Sequence, residues 1–351
     1  MSVPKILFSI LCCSILFTSC DKQTFEEIEE VAAAETATPL DLPQVNFDFE
    51  TEAFPAHFRT RGGNNQQGNN GGNNGGNNPP NNGGNNGNPP NNNQGGQNNN
   101  NDNAVTDNDN TPNDNQITDE GASLGRVLFY DTNLSRNRTV ACASCHEQSR
   151  GFTDSNVLSD GFLGGKTRRH SMSLTNARFL RNGRFFWDER AASLEEQVLM
   201  PIQDEVEMGL DLETLVARVT AESYYGPLFS AAFGDANVST ERISNSLAQF
   251  VRSLVSFESK YDVGRAQVND QDDNFPNFTA SENLGKRIFL SGRGGCDRCH
   301  GTESFISNRG ATNNGLDAQS TSDFGLFETT NNRNDIGKFK APSLRNIGVG
   351  A

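Results

Sequence analysis

Positive charge is in deficit along this chain: 29 Lys and Arg stand against 44 Asp and Glu, a net charge of −15 over 351 residues. So acidic a protein is a poor partner for nucleic acid or an anionic membrane face. Apolar runs are short, and even the N-terminal I-L-F-S-I-L-C-C-S-I-L-F falls below the roughly 20 residues a spanning helix needs. Alternating apolar and polar stretches are scarce, which argues against a sandwich or barrel. Tryptophan occurs once and histidine four times, so any histidine-based chemistry has few ligands to draw on. Seven cysteines in a chain this long are too sparse for a disulfide scaffold.

Four of those cysteines and two of the histidines sit in one repeated pattern. C-A-S-C-H runs from Cys142 to His146, and C-D-R-C-H from Cys296 to His300. Two cysteines three apart followed at once by histidine form the attachment signature of c-type haem, in which both thiols bond the porphyrin and the histidine ligates iron. A zinc site would need further Cys or His close by, but His146 and His300 stand 154 positions apart with no ligand cluster beside either. A thioredoxin-like pair has no use for the histidine. The expectation is two covalent haems on Cys142, Cys145, Cys296 and Cys299, with His146 and His300 as axial iron ligands.

The other three cysteines lie at the N-terminus, where one Lys, a short apolar run and F-T-S-C form an export signal over residues 1–19. Its ending matches a lipoprotein signal that places lipid on Cys20, and so the protein in the periplasm or cell envelope. An acidic segment with His57 follows over residues 20–61. Residues 62–115 are almost wholly Asn, Gly, Gln and Pro, a composition that buries nothing and reads as a disordered tether.

Beyond it the chain repeats itself. L-G-R-V-L-F at Leu124 to Phe129 returns as L-G-K-R-I-F at Leu284 to Phe289, and S-L-T-N at Ser173 to Asn176 as S-L-R-N at Ser343 to Asn346. T-A-S-E at Thr279 to Glu282 is a capping box. The spacing of Ile243, Leu247, Phe250, Val251, Leu254 and Phe257 predicts a helix from about Thr240 to Tyr261, and Asp211 to Val219 reads as a shorter one. The fold class is therefore mainly α, with two cytochrome-c-like haem domains in tandem over residues 116–265 and 266–351. The second is incomplete, since little follows Asn346.

Between the haem motifs lies R-N-G-R-F-F-W-D-E-R-A-A-S-L-E-E-Q-V-L-M-P-I-Q-D-E-V-E-M-G. With K-F-K-A-P-S-L-R-N and both haem motifs, this segment resembles the bacterial dihaem cytochrome c peroxidase family, which includes the methylamine-utilisation dihaem enzyme. The resemblance implies a peroxidatic haem on His146 and an electron-entry haem on His300. It also implies that Glu207 is acid and base over the first haem, that Gln197 lines the same pocket and that Trp187 lies between the haems. Heterolysis of a peroxide needs a proton moved between its oxygens, which a poised carboxylate performs.

Relatives carry a distal histidine in the loop matching Ser159 to Lys166, which has none here. Either the iron stays open or His170 substitutes, and Arg168, Arg169 and His170 are alternatively contacts for haem propionates. The Asn that helps bind calcium in relatives is replaced by His170, a poor ligand for an ion that prefers oxygen. The implied partners are hydrogen peroxide, a cytochrome c or cupredoxin as electron donor, and a second copy in a homodimer. Two other readings stay open: oxidation of an organic or protein substrate on the same fold, and electron transfer without catalysis.

Overall fold

The structure is a computed structural model that describes residues 48–49 and 109–350, apart from 181, 308, 318 and 321. The signal segment, Cys20, His57 and most of the Asn/Gly-rich stretch lie outside the described residues. Among those described there are no strands, only isolated bridges, and eleven α-helical segments. In chain order they are α1 (Asp119–Tyr130), α2 (Cys142–Cys145), α3 (Leu194–Gln197), α4 (Met200–Gln203), α5 (Leu212–Ala221), α6 (Tyr225–Phe233), α7 (Thr240–Ser253), α8 (Lys260–Arg265), α9 (Ala280–Leu290), α10 (Asp297–His300) and α11 (Phe327–Thr330). Among the described residues, no helix is long and apolar enough to cross a membrane.

The folded body starts earlier than composition implies. Residues 109–115, assigned to the tether, are built into it. Asp109 pairs with Arg178 at 2.8 Å, and the Asn110 N–H donates to the Arg178 carbonyl at 2.9 Å. Asn115 is buried, donating to Glu195 and accepting from Gln249. The asparagines that look like filler thus satisfy polar groups of α7, including the buried Arg252, whose Nε donates to Asn110.

Helices α1 and α7 form the centre. Thr118 caps α1 by accepting from the Gly121 N–H, and Ser239 caps α7 by accepting from the Arg242 N–H. Their apolar faces, Leu124, Leu128 and Phe129 against Ile243, Leu247, Phe250 and Val251, are fully buried. Each such side chain contributes roughly 1.5–3 kcal/mol. At the crossing point a Cβ on Gly125 would collide with the Ser246 carbonyl, so the missing side chain lets the helices meet.

The helix predicted to reach Tyr261 ends at Ser253. Asn176, at φ 63°, donates its N–H to the Leu254 carbonyl and exchanges side-chain bonds with the backbone of Ser256, drawing the chain out of helical geometry. A new capping box, Ser259 with Asp262, then starts α8.

α9 repeats the sequence of α1 and is capped as expected by Thr279 and Glu282, but its environment differs. Leu284 and Ile288 are about half exposed where Leu124 and Leu128 are at 0%, and nothing approaches Gly285. Gly125→Ala is therefore expected to cost about 1–3 kcal/mol through overpacking, whereas Gly285→Ala is expected to stabilise by about 0.5–1 kcal/mol through helix propensity. Urea denaturation of the two variants checks both signs.

Candidate haem-bearing site

Cys142 and Cys145 lie within α2, while Cys296 is the N-cap of α10 and Cys299 lies within it, and a spacing of three puts both thiols of a pair on one face. Ser144 accepts from the Ala141 N–H at 3.0 Å, closing the turn, and the His146 N–H donates to the Cys142 carbonyl at 3.0 Å. In the second copy the His300 N–H donates to the Cys296 carbonyl at 2.9 Å. None of the four thiols is in a disulfide. Burial pushes Cys142 up to about 12 and Cys145 up to about 11, so neither is poised as a redox-active thiolate.

Both histidines are oriented by the same device. His146 Nδ1 donates to the Phe152 carbonyl at 2.9 Å, and His300 Nδ1 to the Phe305 carbonyl at 3.0 Å. Each phenylalanine sits in the left-handed region, at φ 60° and 53°, which turns its carbonyl toward the ring. Ser173 and Ser343 repeat the likeness by donating to the carbonyls of Gly151 and Ser304. With Nδ1 occupied, Nε2 is left as the ligating nitrogen, the arrangement expected of a metal-bound histidine.

His146 borders a cavity of about 600 Å³, whose wall includes Gln197, Glu207, Trp187, His170 and Lys340. A second space of about 70 Å³, lined by Cys142, Cys145, Phe129 and Leu247, shares His146, Gln197 and Glu207 with the first. Paired thiols on one face, an oriented imidazole and an adjoining part-apolar cavity fit a covalently held haem.

Glu207 lies in a turn shaped by Asp204, whose side chain accepts from the N–H groups of Val206 and Glu207. The loop at residues 159–167 clamps this turn. Phe162 donates its N–H to the Glu207 carbonyl, and a Cβ on Gly161 would strike the Val206 carbonyl. The Glu207 side chain is half-buried and has no hydrogen-bond partner among the described residues. Burial pushes it up to about 7, Asp204 adds to the rise and Arg190 opposes it. Gln197 ends α3, whose cap is Ser193.

Trp187 is held between the two repeats. Its indole N–H donates to the His170 carbonyl at 2.8 Å, and its own carbonyl accepts from the Lys340 N–H at 2.8 Å. Left-handed backbone at Phe186 and Glu189 sets the chain direction on either side. His170 has both ring nitrogens engaged, one with Thr153 Oγ1 at 2.7 Å and the other with the carbonyls of Asn156 and Val157. Arg168 and Arg169 are taken up by carboxylates: Arg168 by Glu328, and Arg169 by Asp188 and Asp323. Sequence reasoning missed Asp204 and the two carbonyls that accept from the histidines. An Asp three residues before Glu207 was the available signal for the first, whereas a backbone carbonyl leaves no signal at all.

Residues 119–270 match the family model for di-haem cytochrome c peroxidase. The methylamine utilization protein MauG of Methylophilus methylotrophus is 32% identical over 240 residues, covering 66% of this chain and 67% of that protein. A cytochrome c551 peroxidase of Nitrosomonas europaea is 32% identical over 236 residues, covering 64% of this chain and 65% of that protein. Among solved structures, a MauG-like protein associated with microbial copper homeostasis is similar at a TM-score of 0.59 and 32% identity, over 69% of this chain and 74% of its own.

Proposed function

The chain belongs to the di-haem cytochrome c peroxidase family, and from that membership, which carries two covalent c-type haems, we propose that it reduces hydrogen peroxide to water with electrons from a small redox protein. The balance is one peroxide, two electrons and two protons giving two waters. Cys142, Cys145 and His146 hold the haem at the reaction site, and Cys296, Cys299 and His300 hold the one through which electrons enter. The haem iron supplies the reducing centre.

The observation that carries this reading is Glu207: a carboxylate without a partner, pushed up to about 7, in the wall shared with His146. A group half protonated near neutrality both takes a proton from one peroxide oxygen and returns it to the other. Gln197, in the same wall, offers an amide to orient the peroxide. The two ring nitrogens of His170 are committed elsewhere, which supports an iron left open at the reaction site. Trp187, tied to both repeats, supports an electron path between the haems. The repeated cap, haem motif and histidine-to-carbonyl bond support two cytochrome-c-like domains in tandem. Export with lipid on Cys20, a cytochrome c or cupredoxin donor and a homodimer complete the proposal.

Steady-state consumption of hydrogen peroxide by the holoprotein with reduced cytochrome c tests it. Turnover on the order of 1–10³ s⁻¹ is expected, together with a high-spin signal in the electron paramagnetic resonance of the half-reduced protein. No turnover from a protein with both haems attached, or two low-spin haems, would sink the reading. The rival of an oxidase acting on an organic or protein substrate draws on the methylamine utilization relatives, which are as similar as the peroxidases. It predicts that peroxide is consumed without the donor cytochrome being oxidised.

A further inference from the structure

Five cationic side chains border the cavity in front of His146: Lys166, Arg168, Arg169, Arg190 and Lys340. Four have carboxylate partners: Lys166 has Asp160 at 2.6 Å, Arg168 has Glu328 at 2.5 Å, Arg169 has Asp188 and Asp323 at 2.7 Å each, and Arg190 has Asp188 at 3.0 Å. Lys340 is the exception. It is only 8% exposed, and among the described residues its ammonium meets no carboxylate or carbonyl, only the ring of Phe185 at 5.3 Å.

An ammonium on a side chain so nearly buried is costly to keep charged unless an anion meets it. Burial accordingly pushes Lys340 down to about 8, although Glu189 and Asp188 pull the other way. Those two acids are engaged elsewhere. Asp188 holds Arg169 and Arg190, and Glu189 accepts from Asn182. The backbone that carries the lysine is held in place. Its N–H is bound to the Trp187 carbonyl, and Phe339 before it is paired in both directions with Thr312. The fold thus fixes an uncompensated positive charge at the edge of the space that begins at His146. Haem is a dianion at its carboxylate edge, so the missing counter-charge matches the group expected there.

We propose that Lys340 is the anchoring cation for a carboxylate of the haem attached at Cys142 and Cys145. The inference rests on the dihaem reading above. Lys340 acts here as a positioning residue: it fixes the edge of the macrocycle opposite the Cys142–Cys145 attachment and neutralises one carboxylate in a low-dielectric setting. A positive charge so placed favours the reduced iron.

Spectroelectrochemical titration of the holoprotein tests this. Lys340→Met is expected to retain both haems, to shift the midpoint potential of one haem to more negative values and to leave the other unchanged. Lys340→Arg, which keeps the charge, is expected to restore most of the shift. Unchanged potentials in Lys340→Met would overturn the assignment. A second arm needs no variant: in resonance Raman spectra of the unsubstituted protein, the propionate bending band is expected at its hydrogen-bonded position, with sensitivity to deuterated solvent. Two haems showing only free propionates would also overturn it. Fewer than two haems in the unsubstituted protein would overturn the cofactor reading and this proposal together.

Discussion

Glu207→Gln is expected to lower peroxide turnover by about 10²-fold or more, the scale of a lost proton-transfer group, while haem content and absorption stay as they are. The substitution keeps the size and polarity of the side chain and removes only its titration. Since the carboxyl is pushed up to about 7, it is mostly protonated below that pH and cannot accept the first proton. Peroxide kcat/KM in the unsubstituted protein is therefore expected to rise with pH through about 7, and that limb is expected to vanish in the variant. Stability should move the opposite way. The folded value lies above the ordinary 4.5, so this group's contribution is fully present below 4.5 and is lost as pH rises through about 7. Glu207→Gln should match the unsubstituted protein in melting temperature at pH 4 and exceed it at pH 8. Parallel melting profiles across that range would show that the carboxylate is not buried as described.

Arg345→Leu is expected to destabilise the protein by about 3–5 kcal/mol, the cost of leaving a buried charge without its partner. Arg345 and Asp262 are each only 3% exposed by side chain and meet through two bonds of 2.7 Å. The guanidinium also donates to the Glu303 carbonyl, three residues after His300. Asp262 also accepts from the N–H and hydroxyl of Ser259, which are neutral donors and do not replace the guanidinium charge. Tyr261 donates to the Glu303 carboxylate, to which Arg265 also binds, so the loop that orients His300 rests on this group of charges. Removing both charges in Arg345→Leu with Asp262→Leu is expected to cost less than the two single changes added together, since neither is left unpaired. Denaturation followed at the haem absorption band measures all three. A loss below about 1 kcal/mol for Arg345→Leu would mean that the pair is solvated.

Local signals were legible where one residue decides a local outcome. The cap at Thr279 and Glu282 and the apolar stripe of α7 as far as Val251 follow from spacing alone, and both appear where expected. What escaped depends on distant partners. The end of α7 is set by Asn176, nearly eighty positions upstream, and no periodicity within the helix records it. Asn110 and Asn115 belong to a composition that signals disorder, but their side chains complete the bonding of Arg252 and Gln249. Composition averages over a window, whereas satisfaction of a buried group is decided one atom at a time. At the site, the resemblance supplied Glu207, Gln197 and Trp187. The half-proton on Glu207 and the unpaired charge on Lys340 required knowing what surrounds them.

Trp187 is the chain's single tryptophan, and its indole is bonded to the His170 carbonyl while its own carbonyl is bonded to the Lys340 N–H. Indole emission from this protein therefore has one address, the seam where the two halves of the duplication meet. Any twist of one half against the other must reorient that ring, because its two tethers come from positions that correspond in the repeat. Energy transfer to the haems dims that emission, so what remains of it is a label-free gauge of how the ring is oriented.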